Sequence, residues 1–368
     1  MGTNRVFWFS AFVISYTYLG YPVLLAAWTR FGRRPVHKAD ITASRTWPSI
    51  SVVLAVRNEA ARLPARLDNL LQLNYPGARE IIVVSDGSTD KTAEMLACYD
   101  GRVRTVEVAG GGKPLALNAG VGIATGDILV FADARQHFCN DALVELVANF
   151  ADPRVGGVTG ELVLDAEHGE SDSTIRDGVG LYWKYEKWLR RNESAVWSTL
   201  GATGAIYAIR RSLWQPLPAE TLLDDVLVPM RVVLAGQRIV FEERARAFDR
   251  ASVDAGNEAR RKTRTLAGNY QILAQEPRLL LPGLNPVWLQ YISHKVGRLV
   301  VPWALVGTFV TSAVLAASHW FFAIAFVAQA AFYSLAAIGG ALDARDRRTL
   351  TTRVPAIAEG KGATSWSH

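Results

Sequence analysis

Five acids and one cation in this chain stand where chemistry could be done. The stretch "VFADARQHF" (130–138) reads as a buried strand running out into a loop, with Asp133 at its edge and Arg135 two positions on. An Asp followed by an Arg is either half of a metal–diphosphate site or an ordinary turn. Glu59 and Asp86 follow the apolar runs "ISVVLAV" and "EIIVVS" in the same way. Asp224 and Asp225 open the helical pattern "DDVLVPMRVVL", where acids are common for dipole reasons alone. Lys113 begins another helical pattern, "KPLALN". Chance could put one acid at a strand end, but three converging there suggest a site. A carboxylate at such an edge can hold a hard divalent cation through oxygen, and a second one can act as general base.

The elements that position these residues follow from patterning. Short apolar runs alternate with helical repeats from residue 50 to 150, the signature of a parallel sheet wrapped by helices. Strands are expected over "ISVVLAV", "EIIVVSD", "RVRTVEV" and "DILVFAD", with "VGGVTGELVL" as an edge strand. In open sheets of this kind ligands bind outside the carboxyl ends of the strands, which is where Glu59, Asp86 and Asp133 fall. Ser88 or Thr89 is the expected cap of the next helix. Farther on, "GVGLYWKYEKWLRR" carries Tyr185 and Trp188 at helical spacing, either packed on the sheet or facing a ligand. Gly201 and Gly204 in "GATGAIYAIRR" could let a sugar approach the backbone closely. "EARRKTRTLAGN" reads as a cationic helix.

Half the residues are hydrophobic, there are 11 Trp, and the net charge is +6 with a pI near 9.4. The apolar excess lies at the two ends. Val6 to Trp28 contains no charged residue, and Leu299 to Leu342 contains no Asp, Glu, Lys or Arg and a single histidine, His319; about 20 apolar residues cross a bilayer core. One span over 1–30 and a hairpin over 299–342 are therefore expected. A cleaved signal peptide fits poorly, because aromatic residues run through the first segment and "RFGRR" follows it. Arg30, Arg33, Arg34, Lys38, Lys295, Arg298, Arg345, Arg347 and Arg348 flank these spans. The positive-inside rule then places residues 45–285 and the tail 343–368 in the cytoplasm, at the inner face of the cell membrane. Residues 286–298 have Val287, Trp288, Tyr291, Ile292 and Val296 on one face, with His294, Lys295 and Arg298 away from it. That pattern suits a helix lying in the lipid interface or one packed on a core. Basic clusters that track the membrane segments disfavour a nucleic-acid partner. Cys98 and Cys139 lack metal or disulfide spacing and read as small buried hydrophobes.

The motifs "AVRNEA", "VVSDGSTDKT", "KPLALN", "FADARQ", "GATGAIYAIRR", "DDVLVPMRVVLAGQRIVF" and "RRKTR" occur in this order and spacing along the chain. In this it resembles the membrane-bound family-2 glycosyltransferases, the catalytic subunits of cellulose synthase and poly-β-1,6-N-acetylglucosamine synthase among them. The resemblance implies an α/β glycosyltransferase A fold, with a Rossmann-like, mostly parallel sheet, and transmembrane helices at both ends. It implies a nucleoside-diphosphate sugar donor, such as UDP-GlcNAc or UDP-glucose, and Mg2+ or Mn2+. By motif, Ala55, Glu59 and Asp86 fall to the nucleoside, Lys113 and Asn118 to the donor pocket, and Asp133 to the metal-bound diphosphate. Asp225, beside Asp224, falls to the general base, while Arg261 and Arg264 fall to diphosphate and acceptor contacts. Gly201, Gly204, Tyr185 and Trp188 are then the acceptor side.

Two departures matter. Arg135 replaces the second Asp of the family's Asp-x-Asp pair, and residues 261–265 lack the Gln and Trp of the synthases. Magnesium often takes only one or two protein carboxylates plus phosphates, so one Asp suffices. Arg135 is then free to bind phosphate or to pair with an acid that fixes the loop. Loss of the Trp weakens the case for long-chain polymerisation. So does the small number of spans, since three helices would need homo-oligomer or export-complex partners to build a channel. The acceptor class stays open between a growing polysaccharide and a polyprenyl-linked glycan. Direct attack with one base, and no carboxylate nucleophile identified, implies inversion. The rival reading is a non-catalytic nucleotide-sugar-binding subunit of a glycan synthesis or export complex.

Overall fold

A computed structural model describes residues 2–40, 46–165, 173–250 and 255–353. The polar tail beyond Arg353 lies outside the described residues. The chain divides into two compact units, Tyr16–Leu299 and the pair Met1–Ser15 with Val300–His368.

Unit Tyr16–Leu299 is built on one sheet. Its strands are β1 (Ile50–Val56), β2 (Arg79–Asp86), β3 (Arg104–Val108), β4 (Ile128–Ala132), β5 (His137–Phe138), β6 (Val155–Asp165), β7 (Ile206–Arg210) and β8 (Arg238–Arg250). The order is β3-β2-β1-β4-β7-β6-β8-β5. The first four run parallel, β7 is antiparallel to β4 and β6, and β8 is parallel to β6. The central strands are buried on both faces, which explains their unbroken apolar sequences. Val52, Leu54 and Val130 join Leu63, Leu67 and Leu143 in one core layer. Val53, Leu129 and Phe131 join Leu117, Leu227 and Met230 in the other. Helices therefore cover both faces, and the loops at the carboxyl ends of β1, β2 and β4 meet on one edge.

Three expectations need correction. β6 is not an edge strand: β8 returns parallel beside it over nine paired positions, and β3 and β5 hold the edges. Neither Ser88 nor Thr89 caps the helix Thr92–Ala97; Asp90 accepts the Thr92 N–H at 3.0 Å, while Ser88 accepts the Asn58 N–H at 3.1 Å. Cys98 is exposed and Cys139 half-buried, because Cys98 ends a six-residue helix on its outer side.

Three helices are long and apolar enough to cross a membrane: Gly2–Phe31, Trp288–Leu315 and Trp320–Ala341. Residues 286–298 do not form a separate interface helix, since the helix entered at Trp288 continues through a π turn, Tyr291–Val296, to Leu315. Their polar face turns inward. His294 is buried, with Nδ1 2.7 Å from Glu193, and Arg298 lies 2.5 Å from Glu186. Two glutamates on helix Ser173–Val196 thus draw in the side that sequence patterning alone leaves outside. A second π turn, Tyr16–Gly20, faces the first, and the Tyr16 hydroxyl lies 2.8 Å from Ser293 Oγ.

In the other unit the contacts are apolar and close. Phe7 meets Phe322 edge-on at 5.0 Å, and a Cβ at Gly307 would stand 2.7 Å from Ser10 Oγ. Small residues at such crossings are typical of helices packed in lipid. Phe9, Trp303, Val314, Val327 and Leu335 point outward, as lipid-facing side chains do.

Candidate active site

The loop after β1 places Asn58 at φ 55°, a left-handed conformation that Asn tolerates better than most residues. Its Oδ1 accepts the Thr89 N–H at 2.8 Å. This ties the "AVRN" loop to the "DGSTD" loop. Glu59 sits in that junction, ion-paired to Arg62 at 3.0 Å, with half-buried Ala55 in the strand below.

Asp86 ends β2 and is buried. Its carboxylate accepts the backbone N–H groups of Gly111 at 2.7 Å and Gly112 at 3.0 Å. Gly110 and Gly112 both have positive φ (83° and 87°), so the turn needs glycine there. Lys113 begins the next helix straight after it. Asp86 thus positions the lysine.

Lys113 draws the site together. Its Nζ lies 3.0 Å from Asp133 Oδ1, just past β4, and 3.2 Å from Asp224 Oδ2, at the start of helix Asp224–Leu234. Burial works against its ammonium, but Asp224, Asp133 and Asp225 outweigh it and hold the pKa above the ordinary lysine value. The Asp225 pKa is raised as well, which for a carboxyl favours the neutral form. Burial, reinforced by neighbouring Asp224 and opposed by Lys113, pushes its pKa up to about 6. Gly201 and Gly204 form the wall beside it: the Ala202 N–H donates to the Asp225 carbonyl at 2.7 Å. A Cβ at Gly204 would come within 3.1 Å of Asp225 Oδ2.

Other expected site residues are placed elsewhere or engaged otherwise. Arg135 pairs with buried Asp249 at 2.7 Å, the loop-fixing alternative. Both ends of the Asn118 amide bond the backbone of Leu217 at 2.8 Å, so this residue clasps a loop. Arg264, on helix Ala255–Gln275, donates to the Leu222 carbonyl at 2.9 Å and steadies the entry to helix Asp224–Leu234. Arg261, one turn earlier on helix Ala255–Gln275, is exposed. Tyr185 lies half-buried and Trp188 exposed on helix Ser173–Val196, the Tyr185 hydroxyl 3.5 Å from the Tyr18 carbonyl. From that helix it is Arg190, not either aromatic, whose charge acts on Asp225.

Two residues near the acids have no signal in the sequence. Tyr207 of β7 stacks on Phe131 at 4.7 Å, and its hydroxyl is buried without a hydrogen-bond partner. Lys295 also acts on the Asp225 carboxylate, although it lies 70 positions away.

Residues 51–215 match the family described as glycosyl transferase family 2. The chain carries a family-2 glycosyltransferase domain. The transferase domain resembles poly-β-1,6-N-acetyl-D-glucosamine synthase of Staphylococcus aureus (strain COL), with 25% identity over 251 residues, 65% of this chain and 58% of that protein. It also resembles β-monoglucosyldiacylglycerol synthase of Nostoc sp., with 34% identity over 242 residues, 63% of this chain and 50% of that protein. The matches thus span only 50–58% of the length of these curated relatives. Among solved structures, the mannosyltransferase PcManGT from Pyrobaculum calidifontis, in complex with GDP-Man and Mn2+, covers 94% of this chain and 95% of its own. The TM-score is 0.67, at 26% identity. The sheet is the mixed, mostly parallel one of the glycosyltransferase A fold.

Proposed function

We propose that the chain moves a sugar from a nucleoside diphosphate onto a hydroxyl of a glycan or lipid-borne acceptor, inverting the anomeric carbon. One observation carries this reading: Lys113 joins Asp133 to Asp224 beside Asp225, a carboxyl poised near neutral pH. Asp225 takes the proton of the acceptor hydroxyl as its oxygen bonds the anomeric carbon. The bond from that carbon to the diphosphate breaks, and the nucleoside diphosphate leaves with the electron pair. General-base help of this kind contributes about 10²–10⁴ in rate.

Among the described residues no three ligating side chains cluster as a metal site. The donor set at Asp133, one carboxylate 37% exposed beside Lys113, still suits a hard cation completed by diphosphate and water. Asp133 would hold Mg2+ or Mn2+ there, and the cation's charge would ease departure of the diphosphate. Mn2+ accompanies GDP-Man in the similar mannosyltransferase. Glu59, Ala55 and Asp86 support the nucleoside side through the joined loops. Basic residues beside the apolar helices support a cytoplasmic site at the cell membrane.

A silent binding subunit would have no use for a base held near pH 6. The test is nucleoside-diphosphate release by the full chain with Mn2+, comparing UDP-GlcNAc, UDP-glucose and GDP-mannose. Acceptor-dependent release above that of Asp225→Asn is expected from one donor. No release from any of them overturns the proposal.

A further inference from the structure

The first membrane-length helix ends at Phe31, and the chain that follows it is pinned down. The Arg34 N–H donates to the Ala195 carbonyl at 2.8 Å, and the Ala39 N–H to the Ala148 carbonyl at 2.9 Å. Fully buried Arg238 reaches from β8 to the Arg34 carbonyl at 2.9 Å. Residues 33–38 are thereby fixed beside β8 and the end of helix Ser173–Val196.

These three elements line a groove of about 460 Å³. Its cations are Arg33, Arg34, Lys38, Arg191, Arg244 and Arg246, and its acids are Glu242 and Glu243. Glu242 takes Lys38. Glu243 is shared between Arg191 at 3.1 Å and Lys187 at 3.7 Å, while Lys187 also has Glu161 at 2.5 Å. Arg244 reaches Glu145 at 3.8 Å. Counting these outside partners, seven cations meet four carboxylates, and three positive charges are left over. Among the described residues Arg33, Arg34 and Arg246 have no acid within 4 Å, and all three are exposed. Arg246 Nε donates to the Glu243 carbonyl at 3.3 Å, and the Arg34 guanidinium lies 4.8 Å from the centre of the Trp197 ring.

Basic residues beside a span are expected on its cytoplasmic side for orientation alone. That accounts for Arg33, Arg34 and Lys38. It does not account for Arg191, Arg244 and Arg246, which the fold brings to the same groove from a distant helix and strand. We infer that this groove receives the phosphate headgroup of an anionic bilayer lipid. Arg33 is two residues beyond Phe31, about 7 Å of chain at most, so with Gly2–Phe31 in a bilayer the groove lies at headgroup depth. Arginine forks grip phosphate oxygens in pairs, and basic pockets beside membrane helices bind anionic headgroups. None of the lining residues belongs to the site around Lys113 and Asp225. The inference rests on the first helix spanning a membrane, as the proposed location has it, and not on Asp225 being the base.

The experiment uses the full chain in nanodiscs of mixed phosphatidylcholine and phosphatidylglycerol. Native mass spectrometry reads the lipid retained by the parent, Arg33→Gln, Arg246→Gln, Arg246→Lys and Arg30→Gln. The parent should retain phosphatidylglycerol in preference to phosphatidylcholine. Arg33→Gln and Arg246→Gln should each weaken that retention by roughly tenfold, as loss of a charge-assisted contact does, and Arg246→Lys should restore part of it. Arg30→Gln removes the same charge beside the membrane but outside the groove, and should leave retention unchanged. Added inorganic phosphate should not displace the lipid. An equal loss in Arg30→Gln overturns the inference, because it reduces the effect to surface charge. So does displacement by inorganic phosphate, which would make the ligand a free anion, and so does equal retention of the two lipids. Because retention is read without turnover, failure of every sugar donor would overturn the transferase reading and leave the lipid result standing.

Discussion

Gly204 has no room for a side chain: its Cβ would stand 3.1 Å from Oδ2 of Asp225. Few carbon–oxygen contacts in proteins are that tight, and the Asp225 backbone is held in place by the Ala202 N–H. Gly204→Ala should displace the carboxylate by a few tenths of an ångström without disturbing the sheet. Small misplacements of a reacting group are expensive, so kcat should fall by roughly tenfold or more. Steady-state kinetics beside circular dichroism checks this; an active, unaltered Gly204→Ala would show that Asp225 need not be held still.

Asp225→Asn should lower kcat by about 10²–10⁴ while nucleotide binding persists. Its effect on stability has the opposite sign. The folded carboxyl titrates near 6 and the ordinary value is 3.8, so the folded state binds more protons between those pH values. Stability therefore falls as pH rises from about 4 to 6 through this group, and the loss remains at neutral pH. The asparagine variant escapes it. Thermal unfolding at pH 7.5 should show Asp225→Asn higher than the parent, and at pH 4 the gap should narrow.

The same value fixes the acid limb of the rate profile. With Asp225 as base, kcat/KM for the free enzyme should rise with pH and level off above about 6. In Lys113→Met the opposing charge is lost, so that limb should move to higher pH, alongside a weaker nucleotide affinity. A profile whose limb stays put in Lys113→Met would separate the lysine from the base.

Arg135 is bound to Asp249 at 2.7 Å, and Gln136 bonds the same carboxylate at 2.9 Å. Arg135→Ala leaves buried Asp249 with Gln136 alone, and a buried carboxylate stripped of its counter-charge costs more than the about 0–1 kcal/mol of an exposed pair. A clear fall in unfolding temperature and an unchanged Kd for nucleotide with Mn2+ are expected by calorimetry. A large loss of nucleotide affinity would return Arg135 to the phosphate.

Much of the site's framework can be read in the sequence because parallel strands point the same way. Glu59, Asp86 and Asp133 each follow an apolar run, and adjacent β1, β2 and β4 deliver those ends to one edge. Lys113 is legible as the start of the helical pattern "KPLALN". The rest escapes because its partners lie far along the chain. Asn118 looks like a pocket residue until the backbone of Leu217, 99 positions on, takes both ends of its amide. β6 reads as an edge because nothing local announces that β8 will return beside it. Lys295 sits on a polar stripe that patterning assigns to headgroups, and only Glu186 and Glu193 reveal that the stripe faces inward. Arg190 looks like any arginine on an exposed turn.

A π turn winds one more residue into its coil than an α turn does. Rewinding that coil as α with every residue kept would rotate the segment before it by about 100° relative to the helix after it. His294 and Lys295 would then no longer address the same neighbours. The wide turn is therefore a phase-setting device: it absorbs one residue within the coil and so fixes the azimuth from which Lys295 is presented.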